Sequence, residues 1–261
     1  MHLQILSSGS AGNATLVRAG ETHLLVDAGL ELDELEVRLD AARVRPKRID
    51  HLVLTHGHLD HARAAGAFSH AHGAPVHCAL SLMSNASVRG ARTLSTFTIG
   101  RRYPLQGPYG DDGLVLTPVL IPHDAEPTVA LRLEQRDRVA AIVTDMGRPD
   151  LGALAGLSGA HLLVLEFNHD PRMLAEGPYS PNLKRRIGGP RGHLSNAEAC
   201  AMLRMLAGPQ LHTLVLAHLS RVNNTPELAR AAAERTLADL GRTDVEVLIA
   251  EQDGVGPNLK V

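Results

Sequence analysis

The sequence predicts an α/β (α+β) protein built as a four-layer αββα sandwich, two mixed β-sheets with helices on their outer sides. Three observations lead there. The 261 residues run without a Pro/Gly/Ser-rich linker, a short-period repeat or a low-complexity segment. Residues 1–261 therefore read as one domain, as sandwiches and α/β folds of about 250 residues commonly do. The first half is strand-rich with few helices, and the second half alternates the two more evenly. Two β-rich halves that each carry helices bury their apolar faces best as two sheets packed face to face. Finally, 44% apolar against 21% charged residues describes a globular chain and not a disordered one. Aromatics are 2% with no Trp, so the core must be Leu, Val, Ile and Ala.

Each element follows from its residues. Residues 2–6 form a short apolar strand, 7–13 (SSGSAGN) a turn-rich loop and 14–18 a second strand. A third strand, 22–27, ends in Asp27-Ala28-Gly29. Over 30–42 the apolar Leu32, Leu35, Val37 and Leu39 lie among charges, as on an amphipathic helix. The β-branched run 49–55 is a buried strand that leads straight into His56, followed by a helix over 60–68, a strand at 75–77 and a helix over 79–87. Further strands fall at 114–120, 129–134, 139–144, 162–165, 214–217 and 245–250, with helices at 149–156, 196–206 and 226–240. Ser195-Asn-Ala-Glu198 is a capping box for the second of these helices. Thr225-Pro226 sets a cap and an N-terminal proline for the third.

Composition excludes several classes. Twenty-six basic against 28 acidic residues give a net charge of −2, low for a nucleic-acid binder overall. The opening Met-His-Leu-Gln-Ile-Leu lacks the basic region and cleavage site of a signal peptide. No apolar run approaches the ~20 residues needed to span a bilayer. Cys78 and Cys200 cannot make a disulfide framework, which fits a reducing compartment. A cytoplasmic location is expected. The cations are nearly all Arg, with Lys only at 47, 184 and 260, a pattern that coding bias explains. The 15 histidines are more telling, because several are clustered and imidazole is the commonest metal ligand.

The densest cluster is Thr55-His56-Gly57-His58-Leu59-Asp60-His61. Two histidines one residue apart in an extended loop point the same way. Asp60 and His61, at a helix start, aim at a second point nearby. A loop at the C-terminal end of a buried strand is where α/β folds place their chemistry.

These residues resemble the H-x-H-x-D-H motif of the metallo-β-lactamase superfamily. Leu24-Leu-Val-Asp27-Ala-Gly29 resembles the family's strand-ending Asp, which fixes the metal loop. Pro122-His123-Asp-Ala, Val143-Thr-Asp145-Met-Gly and Leu216-Ala-His218-Leu-Ser resemble its later motifs, in the expected order. The resemblance implies two divalent ions, Zn or Mn. His56, His58 and His123 would hold one, Asp60, His61 and His218 the other, and Asp145 would be shared. Two dications a few ångström apart generate a nucleophile from water at neutral pH and clamp the oxygens of an in-line displacement.

The same resemblance narrows the reaction. Asp60 with His61 beside His58 argues against the diiron oxygen-reducing branch. Gly192-His193-Leu-Ser195, 25 positions before His218, is similar to the proton-donor motif of transfer-RNA-maturing relatives, and Glu166 takes the place of its carboxylate partner. Asp60, His193 and Glu166 are thus the catalytic candidates. Cleavage of a phosphodiester needs an acid, since a sugar oxygen leaves poorly without a proton. Transfer-RNA maturation is itself disfavoured. Only 22 positions separate His123 from Asp145, too few for that branch's substrate arm, and the β-CASP cap has no room either. Five segments together are similar to the bacterial YycJ/WalJ (VicX) subgroup: residues 7–13, 122–125, 166–170, 192–196 and 217–224. This implies a 5′-to-3′ exonuclease on double-stranded DNA that prefers a 5′ phosphate, with a role in mismatch repair.

Residues 182–194 carry Lys184, Arg185, Arg186 and Arg191 without an acid, a basic loop suited to backbone phosphates. Ser8 and Asn13 belong to a loop whose N–H groups suit a terminal phosphate, and His169 is a further candidate for the lining. Neither an obligate protein partner nor an oligomeric state is legible. A hydrolase of small esters, thioesters or cyclic phosphodiesters stays open, as does a metal-stabilised scaffold, although structural metal sites are normally closed and single.

Overall fold

The computed structural model describes residues 1–108 and 110–261, with side chains for all of these except 111 and 112. In chain order the first elements are β1 (His2–Ser7), β2 (Ala14–Ala19), β3 (Thr22–Val26), α1 (Leu32–Ala41), β4 (His51–Val53), α2 (Leu59–Ala62), α3 (Ala65–His72), β5 (Val76–Ala79) and β6 (Leu94–Phe97). Next come β7 (Tyr103–Gly107), β8 (Gly110–Ile121), β9 (Thr128–Gln135), β10 (Arg138–Val143), α4 (Leu151–Leu157) and β11 (Leu162–Glu166). The last are α5 (Pro171–Glu176), α6 (Pro181–Ile187), α7 (Asn196–Leu206), β12 (Thr213–Ala217), α8 (Pro226–Asp239), β13 (Glu246–Ile249) and β14 (Leu259–Lys260).

Among the described residues these strands make two seven-stranded sheets, ordered β14-β1-β2-β3-β4-β5-β6 and β13-β12-β11-β10-β9-β8-β7. Both are mixed. In the first, β14, β1, β2 and β3 pair antiparallel and β3 to β6 parallel. In the second, β10 to β13 are parallel and β7 and β8 antiparallel. The fold class expected from the sequence, two mixed sheets flanked by helices, is the one observed.

By internal contacts the chain divides into two compact units. One comprises Met1–Pro118, Leu133–Arg138 and Glu251–Val261, the other Val119–Arg132 and Val139–Ala250. In the first, Gly20 at φ 60° makes the two-residue turn between β2 and β3, a conformation that glycine adopts without cost. The α1 helix links the parallel β3 and β4 and buries Leu35 and Leu39. In the second unit, β11 (LLVLE) and β12 (TLVLA) are buried at every residue, as parallel strands covered on both faces must be. Phe167 packs there with Leu163, Leu165, Leu216, Met202 and Leu203. Each such side chain contributes about 1.5–3 kcal/mol. Lacking Trp, the core is built by the number of its members. The α7 helix opens on the expected capping box, with Ser195 and Glu198 bonded reciprocally.

Four sequence expectations are corrected. The helix expected over 60–68 is two, α2 and α3. Ala28, just beyond β3, donates to the His61 carbonyl and accepts from the Ala64 amide, at 2.7 and 2.8 Å, which consumes the groups that would continue α2. The helix expected over 79–87 is two 3₁₀ turns, Leu80–Ser84 and Ala86–Val88, parted by Asn85, whose side chain accepts from the Ser87 amide. The strand expected over 49–55 is ordered as β4 only at His51–Val53. Finally, Lys184, Arg185 and Arg186 lie on α6, capped by Ser180 with Pro181 in its first turn, and not on a loop. Strands β6, β7 and β14 and helix α5 have no counterpart in the sequence reading.

Candidate metal and catalytic centre

The first unit carries one cluster. Asp27 follows β3 at φ 60°, a left-handed conformation costing of order 1 kcal/mol or more that is retained at functional sites. Its buried carboxylate accepts from the Thr55 amide (2.8 Å), the Thr55 hydroxyl (2.9 Å) and His61 Nδ1 (2.7 Å). The ring of His56 lies 4.2 Å from that of His61 and 4.8 Å from that of His58, centroid to centroid. His56 and His61 are fully buried, whereas His58 and Asp60 are partly exposed. Gly29 is required by close approach: a Cβ there would sit 1.7 Å from the Asp60 carbonyl oxygen.

Ser8 and Asn13 stand in this unit too. Asn13 is buried, and its amide N–H and Nδ2 both donate to the Asp60 carbonyl, at 2.7 and 3.1 Å. Its Nδ2 also lies 2.9 Å from His61 Nε2, and its Oδ1 accepts from the Gly9 amide. These bonds fasten the 7–13 loop to the metal motif. The Ser8 amide donates to the Glu251 carbonyl at 3.1 Å.

The second unit carries the other cluster. Asp145 follows β10 at φ 59° and His218 follows β12 at φ 55°, so both repeat the strained strand ending of Asp27. His218 Nδ1 donates to Asp145 Oδ2 at 3.1 Å, and His123 Nδ1 to the Gly192 carbonyl at 2.8 Å. Glu166, at the end of β11 and fully buried, accepts from His193 Nδ1 (2.8 Å), the Met146 amide (2.9 Å) and the Leu194 amide (3.2 Å). The His193 ring stands 5.2 Å from those of both His123 and His218. Asp145, Glu166, His193 and His218 each bring a ligand atom within 4.8 Å of the others.

The remaining candidates are placed as follows. His169 is buried, and desolvation holds its pKa below the ordinary histidine value, against the pull of Glu166 and Glu198. Lys184 Nζ donates to the Ala175 carbonyl, Arg186 pairs with Asp124 at 2.6 Å and Arg191 pairs with Glu126 at 2.7 Å. Arg185 is exposed and bonds Asn182. Asn168, beside His169, donates from Nδ2 to the His218 carbonyl at 3.0 Å. Two supporting groups escaped the sequence reading, the Thr55 hydroxyl and the Gly192 carbonyl. Only Thr55 carried a signal, as a hydroxyl immediately before a metal-type histidine.

The donor chemistry fits divalent metals. Each unit gathers buried imidazoles and carboxylates, and His61, His123 and His218 each have one ring nitrogen bonded to an oxygen acceptor, the support usual for metal-ligating histidines. Imidazole with carboxylate suits Zn²⁺ and Mn²⁺ alike.

The chain belongs to the metallo-β-lactamase superfamily, whose family model matches residues 8–218, and it is an enzyme of that superfamily's hydrolase class. It is 30% identical over 246 residues to exodeoxyribonuclease YycJ of Bacillus anthracis, covering 92% of this chain and 90% of that one. Exodeoxyribonuclease WalJ of Streptococcus pneumoniae serotype 2 is 31% identical over 246 residues, with 91% and 89% covered. The crystal structure of the metallo-β-lactamase fold protein YhfI from Bacillus subtilis matches with a TM-score of 0.73 at 16% identity, covering 98% of this chain and 99% of that one.

Proposed function

We propose that this chain is a metal-dependent nuclease, a 5′-to-3′ exonuclease on double-stranded DNA with a role in mismatch repair, working in the cytoplasm. One observation carries the reading: His193 and Glu166, 2.8 Å apart, beside the ligand-type residues Asp145 and His218. An ester or lactam site gains little from such a pair, whereas a sugar oxygen needs a proton to depart. The family model spans residues of both units, which supports 1–261 acting as a single domain.

His56, His58 and His123 would hold one divalent ion, Asp60, His61 and His218 a second, and Asp145 both. When bound, such a pair supplies Lewis acidity and activates water at neutral pH. The protein's own groups do the rest. Asp27 fixes His61, the Gly192 carbonyl fixes His123, and Asp145 fixes His218. Glu166 holds a proton on His193 Nδ1, so that His193 Nε2 presents the proton given to the leaving oxygen. Arg185, Lys184 and Arg186 would meet the DNA backbone, with Ser8, Asn13 and His169 nearer the terminal nucleotide.

The test is digestion of duplex DNA bearing labelled 5′-phosphate or 5′-hydroxyl ends, with Mn²⁺ and Zn²⁺ supplied separately. Stepwise loss from the 5′ end, abolished in Asp145→Ala, is expected. His193→Ala should slow turnover at unchanged metal content, and loss of metal would make His193 a ligand instead. A second reading, hydrolysis of a small ester, thioester or cyclic phosphodiester, draws support from the pairing of Arg186 and Arg191 with Asp124 and Glu126. Cleavage of a small diester with duplex DNA untouched would establish it.

A further inference from the structure

Thr55 is buried, and its hydroxyl stands at the centre of a chain of contacts. Oγ1 lies 2.9 and 3.1 Å from the two Asp27 oxygens, 3.1 Å from His56 Nδ1 and 3.4 Å from His61 Nδ1. A carboxylate only accepts, so the single hydroxyl proton goes to Asp27 and Oγ1 retains lone pairs alone. His56 Nδ1 must therefore be the donor to Oγ1. On the other side of the carboxylate, His61 Nδ1 donates directly to Asp27 Oδ2 at 2.7 Å.

We infer that Thr55 is a positioning residue that extends Asp27 to His56, so that one carboxylate sets the tautomers of two histidines, His61 directly and His56 through a hydroxyl. Both rings then leave Nε2 unprotonated, the form that binds a divalent cation. The threonine suits the task because its branched Cβ restricts the hydroxyl's direction, and its own amide is tied to Asp27 Oδ1 at 2.8 Å. The inference rests on the proposed reading of His56 and His61 as ligands.

The test begins with long-range ¹H–¹⁵N spectra of the metal-free protein and of Thr55→Ser and Thr55→Val. Wild type and Thr55→Ser should show His56 as the Nδ1–H tautomer. Thr55→Val should show a mixture at His56, with His61 unchanged. In a zinc competition titration Thr55→Val should bind about 10–100-fold more weakly, and Thr55→Ser close to wild type. An Nε2–H tautomer at His56 in the wild type would overturn the inference, as would an unchanged His56 in folded Thr55→Val. Loss of the tautomer in Thr55→Ser would do so even if Thr55→Val failed to fold. Failure of the functional reading looks different: a wild type with the expected tautomers that takes up no zinc keeps the Thr55 relay and removes the ligand assignment.

Discussion

Glu166→Gln is the most searching single substitution, because it changes one atom in the centre of the second cluster. Glu166 Oε2 receives the Met146 and Leu194 amides, at 2.9 and 3.2 Å, and Oε1 receives His193 Nδ1 at 2.8 Å. A glutamine can keep its oxygen on the two amides. Each of those bonds drops from one made to a charge, about 1.5–3 kcal/mol, to a neutral one of about 0.5–1.5. Their sum is a loss of about 2 kcal/mol, which a domain of this size tolerates. The new amide N–H₂ then faces His193 Nδ1, which must accept instead of donate. His193 loses the anion that supports its protonated form, and with it the acid. General acid catalysis contributes about 10²–10⁴-fold, or about 3–5 kcal/mol of barrier. The assay compares a phosphodiester carrying a nitrophenolate leaving group with duplex DNA, in single turnover at matched metal content. The nitrophenolate departs without help, so Glu166→Gln should slow DNA cleavage about 10²–10⁴-fold and leave the activated diester nearly unchanged. Equal slowing of both substrates would refute the assignment of His193 as acid. Loss of metal in the variant would refute it too.

Three further outcomes follow from the geometry. Gly29→Ala drives a Cβ to 1.7 Å from the Asp60 carbonyl oxygen and 2.7 Å from the Asn13 amide nitrogen, both backbone atoms. It should cost at least the upper end of the about 1–3 kcal/mol of overpacking, read from urea unfolding. Chelation should abolish cleavage and lower the melting temperature, since a ligand present at 1,000 times its Kd adds about 4 kcal/mol to stability; an unchanged melting curve would speak against bound metal. His77, on β5, donates from Nε2 to His51 Nδ1 at 3.0 Å, and His51 Nε2 donates to the Gln106 carbonyl. Burial, then the neighbouring His51, push the His77 pKa down to about 4. That lies below the unfolded value of about 6.5, so the unfolded chain binds the extra proton. The stabilisation is complete above pH 6.5 and is lost as the pH falls towards 4. Between pH 7.5 and 5 the loss is about 2 kcal/mol, and His77→Gln, which keeps a donor towards His51, should remove that dependence from the urea midpoints.

The site was legible in the sequence where types and spacing carry chemistry, and illegible where tertiary contacts decide. His56, His58, Asp60 and His61 announce themselves within six positions. Asp27, Asp145 and His218 are single polar residues after apolar strands, visible through their order and the resemblance that order supports. Long periodic or fully buried segments, such as α7, α8, β11 and β12, were equally plain. The elements missed or mis-drawn are short and governed from afar. The α2 helix stops because Ala28 takes its terminal groups, and the 79–88 segment follows Asn85, whose amide donates to the Gly57 carbonyl of the metal loop. No local pattern encodes either bond.

The reading of residues 182–194 as a phosphate-gripping loop shows the same limit in its charges. A run of Lys184, Arg185, Arg186 and Arg191 without an acid looks open in sequence. In the fold, Asp124 and Glu126, which flank Ala125 just after His123, come to Arg186 and Arg191, and Arg191 Nε also donates to the His123 carbonyl at 3.2 Å. The two segments are bound together as well by His123 Nδ1 to Gly192, whose own Cα fits so closely under the end of α6 that a Cβ would lie 2.1 Å from the Ile187 carbonyl oxygen. The cations therefore brace the loop of a proposed ligand, His123, against the loop of a proposed acid, His193. Exposed ion pairs of this kind contribute only about 0–1 kcal/mol each, so a phosphate can exchange for Asp124 or Glu126 at small cost. On the proposed function, reading the phosphate and holding the acid in place would then be tasks of the same arginines. Replacing Arg186 or Arg191 should therefore weaken DNA binding and slow the chemical step together, whereas replacing the exposed Arg185 should affect binding alone.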